Sequence, residues 1–259
     1  MKEIGYVLSR LINLSFKKGI FPNCLKIAKV VPIHKGGSFS DLNNYRPTSI
    51  LPVISKVYER VMYIRIYNYF ERLNLFKNFQ YGFRSKRSTV DAIIEIVEKL
   101  RSESLRAKFD CLFLDLSKAF DTVNHSRLLS KLERYGIRGM TLRWIESYLN
   151  LRYQFVSFNG HSSDLEHVQH GVPQGSILGP LLFIIYINDL DCACNRFRPT
   201  VFADDTNLLS ISPKEEMVFP RLKSEFEQIV AWFEKNAMHL NVERRKACYL
   251  DHRKLMTTN

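Results

Sequence analysis

The stretch Pro199–Ile211, PTVFADDTNLLSI, sets two runs rich in β-branched and apolar residues on either side of the adjacent carboxylates Asp204 and Asp205. Runs of this kind, bounded by turn-forming aspartates, predict two short strands over 199–203 and 206–211 joined by a tight antiparallel turn. The turn must carry both carboxylates to one end of a sheet. Two like charges so placed fit ordinary turn chemistry, because Asp favours turns. They also fit a place where positive charge is held. On the pair alone the turn explanation leads.

Working outward, FDCLFLDL (109–116) reads as a buried strand, and Asp115 stands where the chain leaves it. A third carboxylate therefore comes to a sheet end, although a strand-end cap explains it equally well in isolation. Brought beside the pair, it would complete an oxygen cage suited to Mg²⁺, which takes few carboxylates plus substrate phosphates. Two such ions about 3.5–4 Å apart suit an in-line displacement at phosphorus.

The remaining periodicities alternate between helix and strand. Residues 1–25 read as a helix with an exposed end at Lys17-Lys18-Gly19, and IAKVVPIH (27–34) as a strand. Leu42 to Leu51, with Pro47 inside it and Pro52 just after, is expected to be a loop. Ile54, Val57, Val61 and Ile64 recur at helical spacing. So do Val90, Ile93, Ile94, Val97 and Leu100, in a helix opened by Ser88 or Thr89 with Asp91 in its first turn. Helices are predicted over 126–135 and 140–149, a hairpin over 153–159 and 164–170 around Asn159-Gly160, and an apolar helix over 178–190. Leu222, Phe226, Ile229 and Phe233 mark a last helix. Helices mixed with antiparallel strands make the fold class α+β rather than a doubly wound sheet.

The composition, 46% hydrophobic and 25% charged over 259 residues, excludes a disordered chain and allows a sizeable core. Net charge is +12, and its distribution is uneven. Of the 38 Lys and Arg, 20 lie in residues 1–109, against 8 of the 26 Asp and Glu. That basic block beside a carboxylate-bearing middle suits a solvated surface or a nucleic-acid-binding one about equally. Cys24, Cys111, Cys192, Cys194 and Cys248 show no CxxC spacing, which excludes a disulfide scaffold or zinc module and points to a reducing compartment. With no signal-peptide pattern and a longest apolar run, Ile177 to Ile187, too short for a bilayer, the chain is expected to be soluble and intracellular.

Six blocks carry a resemblance. In order they are VVPIHKGG (30–37), NNYRPTSILPVISKVYERV (43–61), FQYGFRSKRSTVDAI (79–93), LDLSKAFDTVNH (114–125), HGVPQGSILGPLLFIIYINDL (170–190) and FADD (202–205). They resemble the successive core motifs of reverse transcriptases, most closely those of non-LTR retrotransposons of the jockey-like kind, over roughly residues 20–245. A lone Asp-Asp pair is weak evidence, whereas six ordered blocks are strong evidence.

The resemblance implies a right-hand polymerase with fingers and palm. An N-terminal helical extension (1–26) precedes the polymerase domain (27–250), with fingers mainly 27–109, palm mainly 110–125 and 170–250, and a divergent tail (251–259). It implies that Asp115, Asp204 and Asp205 are catalytic and, with the carbonyl of Leu116, hold two Mg²⁺ ions that Mn²⁺ can replace. Lys35 and Arg46 match basic finger residues at the triphosphate of the incoming nucleotide, where Arg grips bidentately and Lys acts as a point charge. Phe120, five residues after Asp115, occupies the family's sugar-gate position, favouring deoxynucleotides. Gln174 and Gly175 match the Pro-Gln-Gly turn at the template–nucleotide pair. Arg84, Lys86 and Arg87 follow template or primer phosphates. The implied partners are an RNA template, a DNA primer and deoxynucleoside triphosphates, in the nucleus, with no membrane and no protein partner evident.

The sequence departs from the family in three places. Phe202 stands where many relatives carry Tyr. Leu240-Asn241 runs into Arg244-Arg245-Lys246 instead of a Lys-Thr pair. No thumb or endonuclease is recognisable, so a truncated copy is expected. Beside RNA-directed DNA polymerase stand two rival readings: a non-catalytic relic that binds nucleic acid, and an RNA-dependent RNA polymerase, for which Asp121 offers a loose D-x5-D spacing. Phe120, Ala203 and the finger motifs weigh against the latter.

Overall fold

A computed structural model describes residues 2–101, 108–212, 218–241 and 246–251. In chain order the elements are α1 (Lys2–Lys18), β1 (Ile27–His34), β2 (Tyr45–Ile50), α2 (Val53–Arg72), α3 (Thr89–Arg101), β3 (Lys108–Leu114) and β4 (Leu116–Ser117). There follow α4 (His125–Arg134), α5 (Gly139–Leu149), β5 (Arg152–Phe158), β6 (His161–Ser162), β7 (Glu166–Val168), α6 (Gly179–Tyr186), β8 (Arg198–Phe202), β9 (Asp205–Ser212), α7 (Val218–Lys235), β10 (His239–Leu240) and β11 (Lys246–Asp251). The α+β class read from the sequence is the class observed. The chain forms two compact units, Met1–Leu75 with Phe120–Ile185, and Phe76–Ala119 with Tyr186–Asn259.

The first unit builds its sheet in the order β2-β1-β5-β6, with β7 also on β5. The β1–β2 pair is antiparallel and the β1–β5 pair parallel. Expected to be a loop, 42–51 instead contains β2. Pro47 is tolerated because β2 is an edge strand paired only with β1, so the missing amide breaks no central ladder. The hairpin at Asn159-Gly160 has positive φ at both turn residues (48° and 81°), the pattern that makes Asn-Gly a tight hairpin turn.

Aromatic packing makes this unit's core. Phe21 is fully buried and meets Trp144, Tyr148 and Tyr58 edge-on at 5.3, 5.1 and 6.0 Å. The Trp144 indole donates to Ser15 Oγ at 2.8 Å, satisfying its one polar atom. On α2 the buried positions are Ser55, Tyr58, Glu59, Met62, Ile66 and Phe70, whereas Ile54 and Ile64 are exposed. The apolar spacing located the helix but not its inner face.

The second unit is organised on the antiparallel sheet β11-β3-β9-β8 and the small pair β10–β4. Ser88 caps α3 as a capping box, its Oγ accepting from Asp91 N and its own amide donating to Asp91. The apolar stripe of that helix, Val90, Ile93, Ile94 and Val97, is exposed. On α7, Ile229 and Phe233 are buried as their spacing predicts, while Leu222 lies outside the described side chains. Among the described residues, Cys24, Cys192 and Cys194 are free thiols, and no helix is long and apolar enough to cross a membrane.

Candidate active site

Strand pairing places the carboxylates. Phe202 pairs with Asp205 across the β8–β9 hairpin, so only Ala203 and Asp204 form its loop, and Ala203 takes φ +58°. Along β3–β9 the register ends on Leu114 opposite Thr206. The residues next past that last pair are Asp115 and Asp205, at the same end of the sheet. The Asp205 carboxyl is held above its ordinary pKa, by burial first and by the charge of Asp115 second.

Asp115 is itself clamped. Its carbonyl accepts from Asn241 N at 2.8 Å and its Oδ2 from Asn241 Nδ2 at 3.3 Å. The adjoining pairs, Leu240 with Leu116 and His239 with Ser117, continue that contact as β10–β4.

The basic residues lie on several elements. Arg46 is exposed on β2 opposite Ile33, and Lys35 N donates to Asn44 O at 2.8 Å just beyond β1. Residues two apart on a strand share a face, so Lys35 and Arg46 project from the same face of the β1–β2 hairpin. In the second unit the Arg84 and Arg87 guanidinium groups lie over the rings of Phe76 and Tyr81, at 5.0 and 4.9 Å, while Lys86 is exposed at φ +60°.

Within the first unit, Phe120 and the Gln174 loop are brought together. Val172 N donates to Phe120 O and Gly171 N to Val123 O, each at 2.8 Å. The Gln174 amide donates to both oxygens of Asp121 at 3.1 and 3.0 Å. Its carbonyl accepts from Ser49 N at 2.7 Å. Gly175 is required where it stands: its φ is +121°, and a Cβ there would lie 2.4 Å from Ser49 O. The half-buried Phe120 ring rests against Phe183 with centroids 4.7 Å apart.

A family model described as reverse transcriptase (RNA-dependent DNA polymerase) matches residues 33–255, most of the chain. The chain belongs to the reverse transcriptase family. It is 30% identical over 247 residues to the RNA-directed DNA polymerase from mobile element jockey of Drosophila melanogaster, covering 92% of this chain and 27% of that protein. It is 35% identical over 189 residues to the probable RNA-directed DNA polymerase from transposon X-element of the same species, covering 72% and 20%. The chain thus spans about a quarter of the length of these relatives. Among solved structures, the RNA-dependent RNA polymerase of a human picobirnavirus superposes over 85% of this chain and 41% of its own, with TM-score 0.53 and 15% identity. That likeness speaks to the fold alone, and the fold it supports is a fingers-and-palm polymerase.

Reverse transcriptases work with divalent metal ions, and the donor chemistry here fits one. Asp115 and Asp205 offer hard carboxylate oxygens whose mutual repulsion a cation would relieve. The structure brings these two within electrostatic reach of each other. Among the described residues, no three His, Cys, Asp or Glu side chains are grouped as a metal cage. A pair of carboxylates suits Mg²⁺, which fills its remaining positions with water and substrate phosphate.

Three residues escaped the sequence reading. Asn241 clamps Asp115, as described. Glu59 is fully buried and accepts from Ile177 N and Leu178 N ahead of α6. Gln80, also fully buried, reaches the aspartate hairpin. Each acts on a partner more than 100 residues away, where periodicity carries no signal.

Proposed function

We propose that this chain is the catalytic core of a non-LTR retrotransposon's RNA-directed DNA polymerase, adding deoxynucleotides to a primer 3′-hydroxyl on an RNA template. The observation that carries it is the Asp115–Asp205 pair at the end of the β3–β9 register, two repelling carboxylates that call for positive charge. Asp115, Asp204 and Asp205, with the Leu116 carbonyl, would hold two Mg²⁺ ions, or Mn²⁺ in their place. Bound by these residues, such ions would supply activation of the primer hydroxyl and charge compensation at the leaving pyrophosphate.

The other roles fall to this chain's own side chains. Lys35 and Arg46 bind the triphosphate as point charge and fork. Phe120, held by Phe183, lies beneath the sugar and leaves no room for a 2′-hydroxyl. Gly175, without a Cβ, lets the backbone approach the nascent base pair, and Gln174 orients that turn through Asp121. Arg84, Lys86 and Arg87 follow template or primer phosphates. In this reading 27–109 form mainly the fingers, and 110–125 with 170–250 mainly the palm.

Primer extension on an RNA template with Mg²⁺, comparing deoxy- with ribonucleotides, tests it. Extension with deoxynucleotides is expected. Preferential use of ribonucleotides would mean an RNA polymerase, and no extension by folded protein would mean a nucleic-acid-binding relic. Asp204→Asn is expected to abolish extension while template binding persists, since only metal-assisted chemistry is removed.

A further inference from the structure

The loop that carries Asp204 has an unusual backbone. Two-residue hairpin loops need positive φ and generally use Gly, Asn or Asp there, yet the residue at φ +58° is Ala203. A side chain resists this conformation, which persists only when the surroundings impose it.

Phe79–Gly82 imposes it. Val201 N donates to Phe79 O and Tyr81 N to Val201 O, each at 2.8 Å, so the segment runs parallel to β8 as a strap along the open edge of the sheet. From this strap the fully buried Gln80 side chain reaches the turn. Its Oε1 accepts from Gly82 N at 2.8 Å and from Ala203 N at 3.3 Å. Gly82 then lies flat against the loop: a Cβ there would sit 2.1 Å from Ala203 N and 2.8 Å from its Cα.

We propose that Gln80 is a positioning residue, its amide oxygen and the bare backbone of Gly82 together holding Ala203 in the left-handed region so that Asp204 and Asp205 are presented as metal ligands. The proposal rests on the functional reading of those two aspartates. Among the described residues, the Gln80 Nε2 is buried without a hydrogen-bond partner. A glutamine kept only for packing has no reason to bury an unused donor; one kept for its oxygen does. Neutrality also matters, since a carboxylate in its place would add a negative charge near the aspartate hairpin.

The test uses the full chain, with Mn²⁺ as probe. Gln80→Met keeps the volume and removes the acceptor. Gly82→Ala pushes on Ala203 from the other side. Each is expected to weaken Mn²⁺ binding, read by electron paramagnetic resonance, and to lower kcat by about tenfold or more, since misplacement of a site by an ångström costs up to about a hundredfold. KM for primer–template is expected to hold. Amide exchange at Ala203 is expected to accelerate in Gln80→Met. Adding Ala203→Gly to Gln80→Met is expected to restore Mn²⁺ affinity, because glycine takes positive φ without the clamp.

Ile229→Val, in the core of the same unit, serves as a control with reduced stability. If Gln80→Met binds Mn²⁺ as wild type does, or no more weakly than a control of equal Tm, the positioning role is overturned. Absence of the Ala203→Gly rescue overturns it too. If Mn²⁺ affinity falls as expected but the wild-type chain extends no primer, the clamp stands and the polymerase reading fails. If the wild type extends primers and Gln80→Met does so equally, the reverse holds.

Discussion

The carboxylate of Glu59, buried on α2, accepts the backbone amide of Ile177 at 2.7 Å across 118 residues of sequence. The same oxygen accepts from Leu178 N at 3.2 Å, and the other from Ser55 Oγ at 2.8 Å. Four residues before Leu178, the Gln174 carbonyl takes the amide of Ser49 on β2. The Pro-Gln-Gly turn is therefore pinned at both ends to one continuous stretch, β2 into α2. Residues 49–59 and 174–178, far apart in sequence, are thus joined by hydrogen bonds within the first unit.

Glu59→Leu removes the acceptor and strands two amides, at about 1–3 kcal/mol each. A loss of about 3 kcal/mol is expected from the urea midpoint at constant slope. Glu59→Gln keeps one acceptor oxygen and is expected to lose markedly less. Equal midpoints for the two variants would show that packing, not hydrogen bonding, is what Glu59 supplies.

The Asp115–Asp205 pair is expected to cost stability at neutral pH. A carboxyl whose folded pKa is raised favours the fold when protonated. That contribution is complete below the unfolded value of about 4 and is lost as pH rises through the folded value. Asp205→Asn is thus expected to raise Tm at pH 7, with the gain shrinking as pH falls through the carboxylate range. Mg²⁺ is expected to raise the Tm of wild type and to do so less in the variant, because only a state that binds the ion is stabilised by it. Calorimetry across pH, with and without Mg²⁺, checks both signs.

Phe120 is half-buried, its ring tilted against that of Phe183. Phe120→Ala is expected to raise ribonucleotide use relative to deoxynucleotide by about tenfold or more, a range typical of changes in pocket shape. Phe183→Leu, which loosens the ring without removing it, is expected to fall between. Single-nucleotide kcat/KM ratios measure this. Unchanged sugar selectivity in Phe120→Ala would remove the gate role.

Much of this fold was legible because its signals are local. The β-branched run 27–34 is β1, and Ser88 with Asp91 caps α3 as their spacing predicts. What was not legible is non-local. Pro47 disguised β2, since nothing nearby says that the strand lies at an edge. The many apolar positions of α2 left its inner face unspecified, and Glu59 faces inward only because two amides far along the chain need it. The aspartates were found by motif order, whereas Gln80 and Asn241, lone amides with partners 123 and 126 residues away, were not.

Asn241 gives the sharpest electrostatic test of the site. Its backbone amide fixes the Asp115 carbonyl, and its side chain lies 3.3 Å from the Asp115 carboxylate. Asn241→Asp keeps the backbone bond and the shape but replaces a donor with a third negative charge. Repulsion among three carboxylates is expected to destabilise the protein without metal, and each added Mg²⁺ increment is expected to recover more Tm than in wild type. Asn241→Ala removes the donor without adding charge. It is expected to lower kcat several-fold with KM for primer–template unchanged, because Asp115 loses orientation rather than charge. The two variants therefore separate field from geometry. Identical Mg²⁺ dependence in both would mean that the side chain of Asn241 does not act on Asp115.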